Sequence, residues 1–449
     1  MDILKLKDCV DNDKISSYQK FVVFFCFILY IIDGFDFMIM AYLASSVANE
    51  FSLTGTNIGT LISAGLIGMT VCSFLLAPLA DKIGRRNLIN LCLLICGLSM
   101  FASAFATDFK QLVLCRFFTG VGIGGVQISA MILASEYSPT KYKSFSVGIL
   151  SAGYGIGAIS GALLAVYSLE SIGWRQVLLI GGFVTTFAFL CSLKFLPESI
   201  DYLLLKQPKY ALEKLNQIFS KMHKKPILTL PKAYVKNQKS SDVEIFNHKY
   251  LVKSLVLWVS IFFILFGFYF VMGWTPKILN SSGLDNSLSI KTAMMISVGG
   301  ILGSFIIGVL SSKVSVYINQ IAFLILTYVC ILLFVNNTDN LNILIIVATT
   351  LGFFINGCLA GIYAISTQLY EADVRSTGVG IATGVGRFGG IFSPIIAGYF
   401  LDLGNSPLEL YGNFGFAFVL AAIAIFIIYK LKQKSVVNTP YVVLQKEPQ

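Results

Sequence analysis

The sequence predicts an all-α integral membrane protein whose twelve transmembrane helices form two six-helix halves, and three observations carry that reading. Of 449 residues 56% are hydrophobic and only 12% charged, a charged share about half that of soluble globular domains. The apolar residues fall in about twelve runs, each near the ~20 residues a helix needs to cross the hydrocarbon of a bilayer. The charges are bunched in the gaps between those runs. By position the runs cover 21 to 43, 58 to 80, 88 to 106, 111 to 134, 145 to 167, 175 to 195, 254 to 273, 291 to 312, 319 to 336, 341 to 364, 376 to 401 and 414 to 431.

The segment 1 to 20 carries four lysines and is read as cytoplasmic. The run after it is long and no small-residue cleavage site follows, so it is expected to remain as the first helix. With that start inside, and with basic residues at span ends other than Lys194 counted with the adjoining segment, the inner segments hold 26 Lys and Arg and the outer segments four, Lys110, Arg175, Lys277 and Lys291. This asymmetry sets both termini in the cytoplasm, and an even number of spans agrees. The net charge of +10 is therefore a topology signal, and no nucleic-acid partner is expected.

The first span places Asp33 and Asp36 in IIDGFDFMIM. An ionised carboxylate there costs at least ~2.5 kcal/mol on insertion scales, so both should face the bundle interior. Three residues apart, they share roughly one helix face, where two negative charges repel one another. The pair is a candidate proton carrier; a structural charge network is the alternative.

After the second span comes APLADKIGRR, Ala77 to Arg86. A short inner turn that sets Asp81, beside Gly84, against Arg85, Arg86 and a helix end can latch two helices in one state and release them in another. An ordinary basic inner loop is the plain alternative. Cys92 and Cys96 share a face of the third span and are read as small packing residues. Eight of the nine cysteines lie in or at the edge of apolar spans, so no disulfide framework is expected. The only histidines, His223 and His248, fall in the long inner loop. No metal site and no cofactor is expected, and with no nucleophile beside a base, no enzyme.

The fourth span opens with RFFTGVGIGG. The Arg116 guanidinium stays charged in proteins and needs a buried anion, either Asp33, Asp36 or Glu136, or the carboxylate of a ligand. Gly120, Gly122, Gly124 and Gly125 lack the Lys-Ser/Thr pair of a nucleotide loop and are read as close-packing positions. The same reading covers Gly148, Gly153, Gly155, Gly157 and Gly161 of the fifth span, whose flat faces permit rocking.

Residues 197 to 253, with 11 basic and 5 acidic side chains, separate a first half at 21 to 196 from a second at 254 to 431, with a cytoplasmic tail at 432 to 449. Asp201 to Met222 alternates apolar and charged residues, a pattern of amphipathic helices at the inner membrane face. Pro226 to Ser241 reads as a mobile stretch.

The seventh span is aromatic, and Tyr269 and Trp274, having polar handles, are candidates for contact with an aromatic ligand; packing is the alternative. GVLSSKVS, from Gly308, is the second-half counterpart of the turn after span two and lacks its acid and arginines, so any latch there is weak. Arg387, in GVGRFGGIFSP of span eleven, has no acid in its own helix before Asp402. Substrate or gating contact and a structural ion pair both fit it. A shift of 232 positions sets Lys143, Ser144, Val147 and Gly148 on Arg375, Ser376, Val379 and Gly380, and one of 231 sets Leu79 and Lys82 on Leu310 and Lys313. These matches mark a parallel repeat of six helices per half. Glu136 and Arg375, at helix ends, are read as charge-relay positions.

Together these residues resemble the aromatic acid:proton symporters of the major facilitator superfamily, over nearly the whole chain. The resemblance rests on DGFD at Asp33 to Asp36, PLADKIGRR at Pro78 to Arg86, RFFTGVGIGG at Arg116 to Gly125, SEYSP at Ser135 to Pro139, GWRQVLLIGG at Gly173 to Gly182, LPESIDYLL at Leu196 to Leu204 and VRSTGVGIATGVGRFGG at Val374 to Gly390. It implies the major facilitator fold and a need for Asp33, Asp36, Asp81, Arg85 and Arg116 in transport. It further implies proton-coupled uptake of a small organic anion, of hydroxybenzoate or muconate type, by a monomer in a bacterial inner membrane. Symport of sialate, lactate or a sugar, and proton-driven efflux, are the alternatives on the same fold.

Overall fold

The computed structural model describes residues 15–75, 77–224, 226–230, 248–311, 313–370 and 372–437. Twelve helices among them are long and apolar enough to cross a membrane. They are α1 (Ser17–Phe51), α2 (Gly55–Leu75), α3 (Arg85–Ala104), α4 (Phe109–Glu136), α5 (Thr140–Leu169) and α6 (Ser171–Phe195), then α7 (Leu251–Ser281), α8 (Asn286–Leu310), α9 (Val316–Asn336), α10 (Leu341–Leu369), α11 (Thr377–Asp402) and α12 (Pro407–Gln433). Their outer faces carry bare aromatics: Phe183 is 66% exposed, Phe187 68% and Phe305 72%. Such faces belong against lipid, where backbone groups must be satisfied within the helix.

Two boundaries differ from the sequence reading for identifiable reasons. α1 runs 35 residues because Ser16 and Gln19 cap its start reciprocally, side chain to backbone in both directions. α2 ends at Leu75, short of the expected 80, and a separate helix, Ala77–Ile83, follows. Pro78 lies in that helix's first turn, where its missing N–H costs nothing; inside α2 it would have broken the ladder. α5 and α6 are nearly continuous, and the kink between them falls at Gly173, in the first turn of α6, whose φ of 80° no L side chain adopts readily.

The repeat is visible in how helices cross. A Cβ on Gly68 would strike the Phe117 carbonyl, and one on Gly120 the Gly65 carbonyl, so α2 and α4 meet backbone to backbone. In the second half Gly299 meets Thr349 and Gly352 meets Ile296 in the same way, between α8 and α10. Gly68 and Gly299 are 231 positions apart and Gly120 and Gly352 are 232, the offsets of the sequence repeat. The halves meet along α2 with α11, α5 with α8, and α1 with α7.

The amphipathic stretch forms two helices, Ile200–Lys206 and Ala211–Lys221. They bury Leu203, Leu204, Leu215, Ile218 and Phe219 in one cluster with Leu88, Tyr137 and Leu196, of the first-half helices and the segment after them. Of the stretch expected to be mobile, 231 to 241 lies outside the described residues.

Candidate functional site

Asp33 and Asp36 are 1% and 0% exposed, inside the first half. Asp36 Oδ2 accepts hydrogen bonds from Thr185 Oγ1 of α6 at 2.9 Å and Cys96 Sγ of α3 at 3.2 Å. Asp36 Oδ1 and Asp33 Oδ2 are buried with no hydrogen-bond partner among the described residues. A buried ionised carboxylate with an empty oxygen is expensive to keep. Cys96, read from the sequence as packing alone, and Thr185, on a helix given no role, are therefore parts of this site.

Arg116, 3% exposed, donates from Nη2 to the backbone carbonyl of Asp36 at 2.8 Å and from Nη1 to the Met100 sulfur at 3.3 Å. It grips the peptide of Asp36 rather than its carboxylate. The expectation that Glu136 could serve Arg116 is corrected: twenty residues further along one helix, at 1.5 Å per residue, puts it ~30 Å away. Glu136 pairs instead with Arg85, at 3.0 Å.

Arg116 also lines a void of about 20 Å³ between the halves, with Phe37, Met38, Leu61 and Gly65 of the first half and Tyr269 of the second. That volume holds about one water, so the walls must part to admit an organic anion. Tyr269 meets Phe37 edge-on across the void, ring centroids 5.9 Å apart. Neither aspartate lines this void; Arg116 lines it and also bonds the Asp36 peptide.

Two further candidates lie away from it. Trp274 is fully buried and donates its indole N–H to the Pro394 carbonyl at 3.2 Å. It borders a depression of about 500 Å³ together with Lys277 and Asp402. Arg387 reaches across the halves to α2, where it donates to the Met69 carbonyl at 2.9 Å and to the Ser73 hydroxyl. These are bonds to neutral oxygens, not a structural ion pair.

At the inner end, Gly84 has φ 96°, and a Cβ there would collide with the Glu198 carboxylate. That close approach lets Glu198 Oε1 accept the Arg86 N–H at 3.1 Å and the Ser199 N–H at 2.9 Å. Arg85 donates to Ser199 Oγ at 2.8 Å, and Ser199 Oγ donates to Glu136 at 2.6 Å. The basic turn is thus tied to the end of α4 and to the segment after α6, all within the first half. Glu198 and Ser199 stood in the sequence only as letters of LPESIDYLL. Asp81 and Arg375 lie in helices, and their side chains are outside the described residues.

At the opposite end of α2 the halves are joined by Asp402, at the end of α11. Its carboxylate accepts the backbone N–H groups of Gly55 at 2.5 Å and Thr56 at 2.8 Å, and the Thr56 hydroxyl at 2.6 Å. An acid from the second half so caps the N-terminus of α2 in the first, where the helix dipole favours negative charge. Below it, Ser63 Oγ donates to the Ile391 carbonyl at 2.7 Å.

The family model described as Major Facilitator Superfamily matches residues 26–340 and 318–443 of this chain. Among characterised relatives, the gallate transporter of Pseudomonas putida is 28% identical over 428 residues, 94% of each chain. The 4-hydroxybenzoate transporter PcaK of Acinetobacter baylyi is 26% identical, 93% of each chain. The benzoate transport protein of the same organism is 28% identical, covering 89% of this chain and 87% of its own. Among solved structures, the xylose transporter XylE of Escherichia coli, in a partially occluded inward-open conformation, superposes with TM-score 0.70 at 14% identity, covering 92% of this chain and 99% of that one.

Proposed function

The chain belongs to the Major Facilitator Superfamily, and from that premise we propose that it takes up a small aromatic carboxylate together with protons, by alternating access. The observation that carries this reading is Arg116, which lines the inter-half void and whose guanidinium holds the Asp36 peptide. A carboxylate entering the widened void finds one cation there, and the Phe37 and Tyr269 rings offer faces and edges to an aromatic body. A guanidinium drawn toward that anion loosens its hold on Asp36, so substrate binding and proton occupancy at Asp33 and Asp36 influence one another. The gallate, hydroxybenzoate and benzoate transporters among the relatives support the substrate class.

In this scheme Asp33 and Asp36 carry protons, Arg116 and Tyr269 contact substrate, and Arg387 serves the inter-half seam. The Gly84, Arg85 and Arg86 turn, with Glu136, holds the inner end. Trp274 we assign to outer closure. Both termini lie in the cytoplasm and the chain sits in the bacterial inner membrane, oriented by its inner excess of Lys and Arg.

The test is uptake of labelled benzoate, 4-hydroxybenzoate and gallate by proteoliposomes of the purified protein. With acid imposed outside, at least one of the three is expected to accumulate, and a protonophore to abolish the accumulation. Accumulation of a sugar or lactate in their place, or accumulation driven only by acid inside, contradicts the reading.

A further inference from the structure

Thr185 has no part in the scheme above, yet it has an unusual place beside Asp36. Its hydroxyl lies 2.9 Å from Asp36 Oδ2 and 3.0 Å from the carbonyl of Gly181, one turn earlier in α6. A hydroxyl has one proton and two lone pairs, so it cannot donate to both oxygens at once. With Oδ2 ionised, the Thr185 proton points to the carboxylate, beside the thiol proton of Cys96. With a proton on Oδ2, that new O–H needs an acceptor. Thr185 supplies one by turning its own proton onto Gly181 O, a rotation about a single bond that moves no heavy atom. Asp36 and Thr185 are both 0% exposed, so no solvent stands in for either partner, and an unmatched polar group there is costly.

We propose that Thr185 is a positioning residue for proton exchange at Asp36: a two-way hydroxyl that satisfies the carboxyl group in both its charged and its neutral form, with Cys96 as a one-way donor to the charged form. The inference rests on the reading of Asp36 as a proton site. The titratable and charged groups around the two aspartates are Tyr30 on α1 itself, Cys92 and Cys96 on α3, Arg116 on α4 and Tyr154 on α5. Of these Cys96 is the one that donates to the carboxylate, while Arg116 bonds the peptide. From α6 the group that reaches Asp36 is Thr185, which does not itself titrate.

The experiment measures proton-driven uptake of 4-hydroxybenzoate, or whichever relative's substrate the protein accepts, as a function of external pH in proteoliposomes. Wild type is compared with Thr185→Val, Thr185→Ser and Cys96→Ala, with Asp36→Asn as the control. Valine keeps the shape of threonine and removes the hydroxyl, so the charged carboxylate loses a donor. The pH midpoint of uptake is expected to rise by about one unit, a tenfold change in proton affinity, and maximal uptake to fall. Thr185→Ser, which keeps the hydroxyl, is expected to restore the wild-type midpoint, and Cys96→Ala to shift it the same way by less. A merely structural residue would lower uptake without moving the midpoint.

An unmoved midpoint in Thr185→Val, while Asp36→Asn abolishes accumulation, overturns this inference and leaves the proton reading intact. Wild-type accumulation by Asp36→Asn overturns both. Should Thr185→Val fail to reach the membrane, Thr185→Ala carries the same expectation. Failure of both, with an unshifted Cys96→Ala, also counts against the proposal.

Discussion

The α2·α4 crossing of the first half and the α8·α10 crossing of the second are built alike, glycine against carbonyl, at offsets of 231 and 232 residues. Their interiors are not alike. Among the described residues the buried charged side chains are Asp33, Asp36 and Arg116, all in the first half. The second half buries neutral polar groups such as Gln320, Thr327 and Ser366. The halves share this crossing geometry, while the buried charges among the described residues lie in one of them. The second half contributes Tyr269 at the central void, Arg387 along α2 and Asp402 at the N-terminus of α2.

The comparison breaks most readily at the two arginines. Arg116→Ala leaves the Asp36 carbonyl without its donor and the void without its cation. A buried charged contact of this kind is worth ~3 kcal/mol or more, so uptake should fall by about two orders of magnitude, with protein levels checked by immunoblot. Arg387→Ala, which removes bonds only to a carbonyl and a hydroxyl, should cost about tenfold or less. Equal losses from the two would sink the claim of asymmetry.

The inner ends give a second contrast, read in stability. Arg85→Ala takes this cation from the partly buried Glu136, which keeps its hydrogen bond from Ser199, and should destabilise the protein by ~1–2 kcal/mol, seen as a lowered thermal unfolding midpoint in detergent. Lys313→Ala, at the counterpart turn, should leave that midpoint within the scatter of the measurement. A comparable fall from Lys313→Ala would show a working latch in the second half.

The outer rim tests how the lobes are joined. Asp402→Asn loses the charge that caps α2, an effect of ~1 kcal/mol, or about a fivefold shift in population toward outward opening. A cysteine placed at Ser63, which bonds Ile391 across the seam, should then react correspondingly faster with a membrane-impermeant thiol reagent. No change in its reactivity would remove Asp402 from the closing contact. The smallest effect is expected at the facing ring: Tyr269→Ala should raise the KM for an aromatic acid about two- to tenfold, and Tyr269→Phe hardly at all. A large loss in Tyr269→Phe would mean that the phenol, not the ring, meets the substrate.

How much of this could be read from the sequence depended on whether a residue stands out from its surroundings. Twelve spans were legible because lipid demands length and apolarity of each one separately. Asp33, Asp36 and Arg116 were legible because a charge in an apolar run is rare and costly enough to require a function. Thr185 and Cys96 were not: a hydroxyl or thiol in a membrane helix is common, and their partner Asp36 lies 149 and 60 residues away in the chain. Asp402 sat at a span end, where acids are unremarkable, and its partners at Gly55 and Thr56 lie 347 and 346 residues off. The Glu136 pairing was misjudged because sequence alone ranked acids by kind rather than by distance along a helix. Pro78 did carry a boundary signal for the end of α2, overridden by the hydropathy of the residues around it.

The proposed proton path runs through carboxylates sealed within the first half. It is tested most directly by measuring, in one proteoliposome preparation each of Asp33→Asn and Asp36→Asn, both accumulation of an aromatic acid under an imposed proton gradient and exchange of labelled for unlabelled substrate without one. The account expects accumulation to vanish in both variants while some exchange persists, since a neutral amide still fits the bundle but carries no proton. Accumulation at the wild-type level in both variants would contradict it.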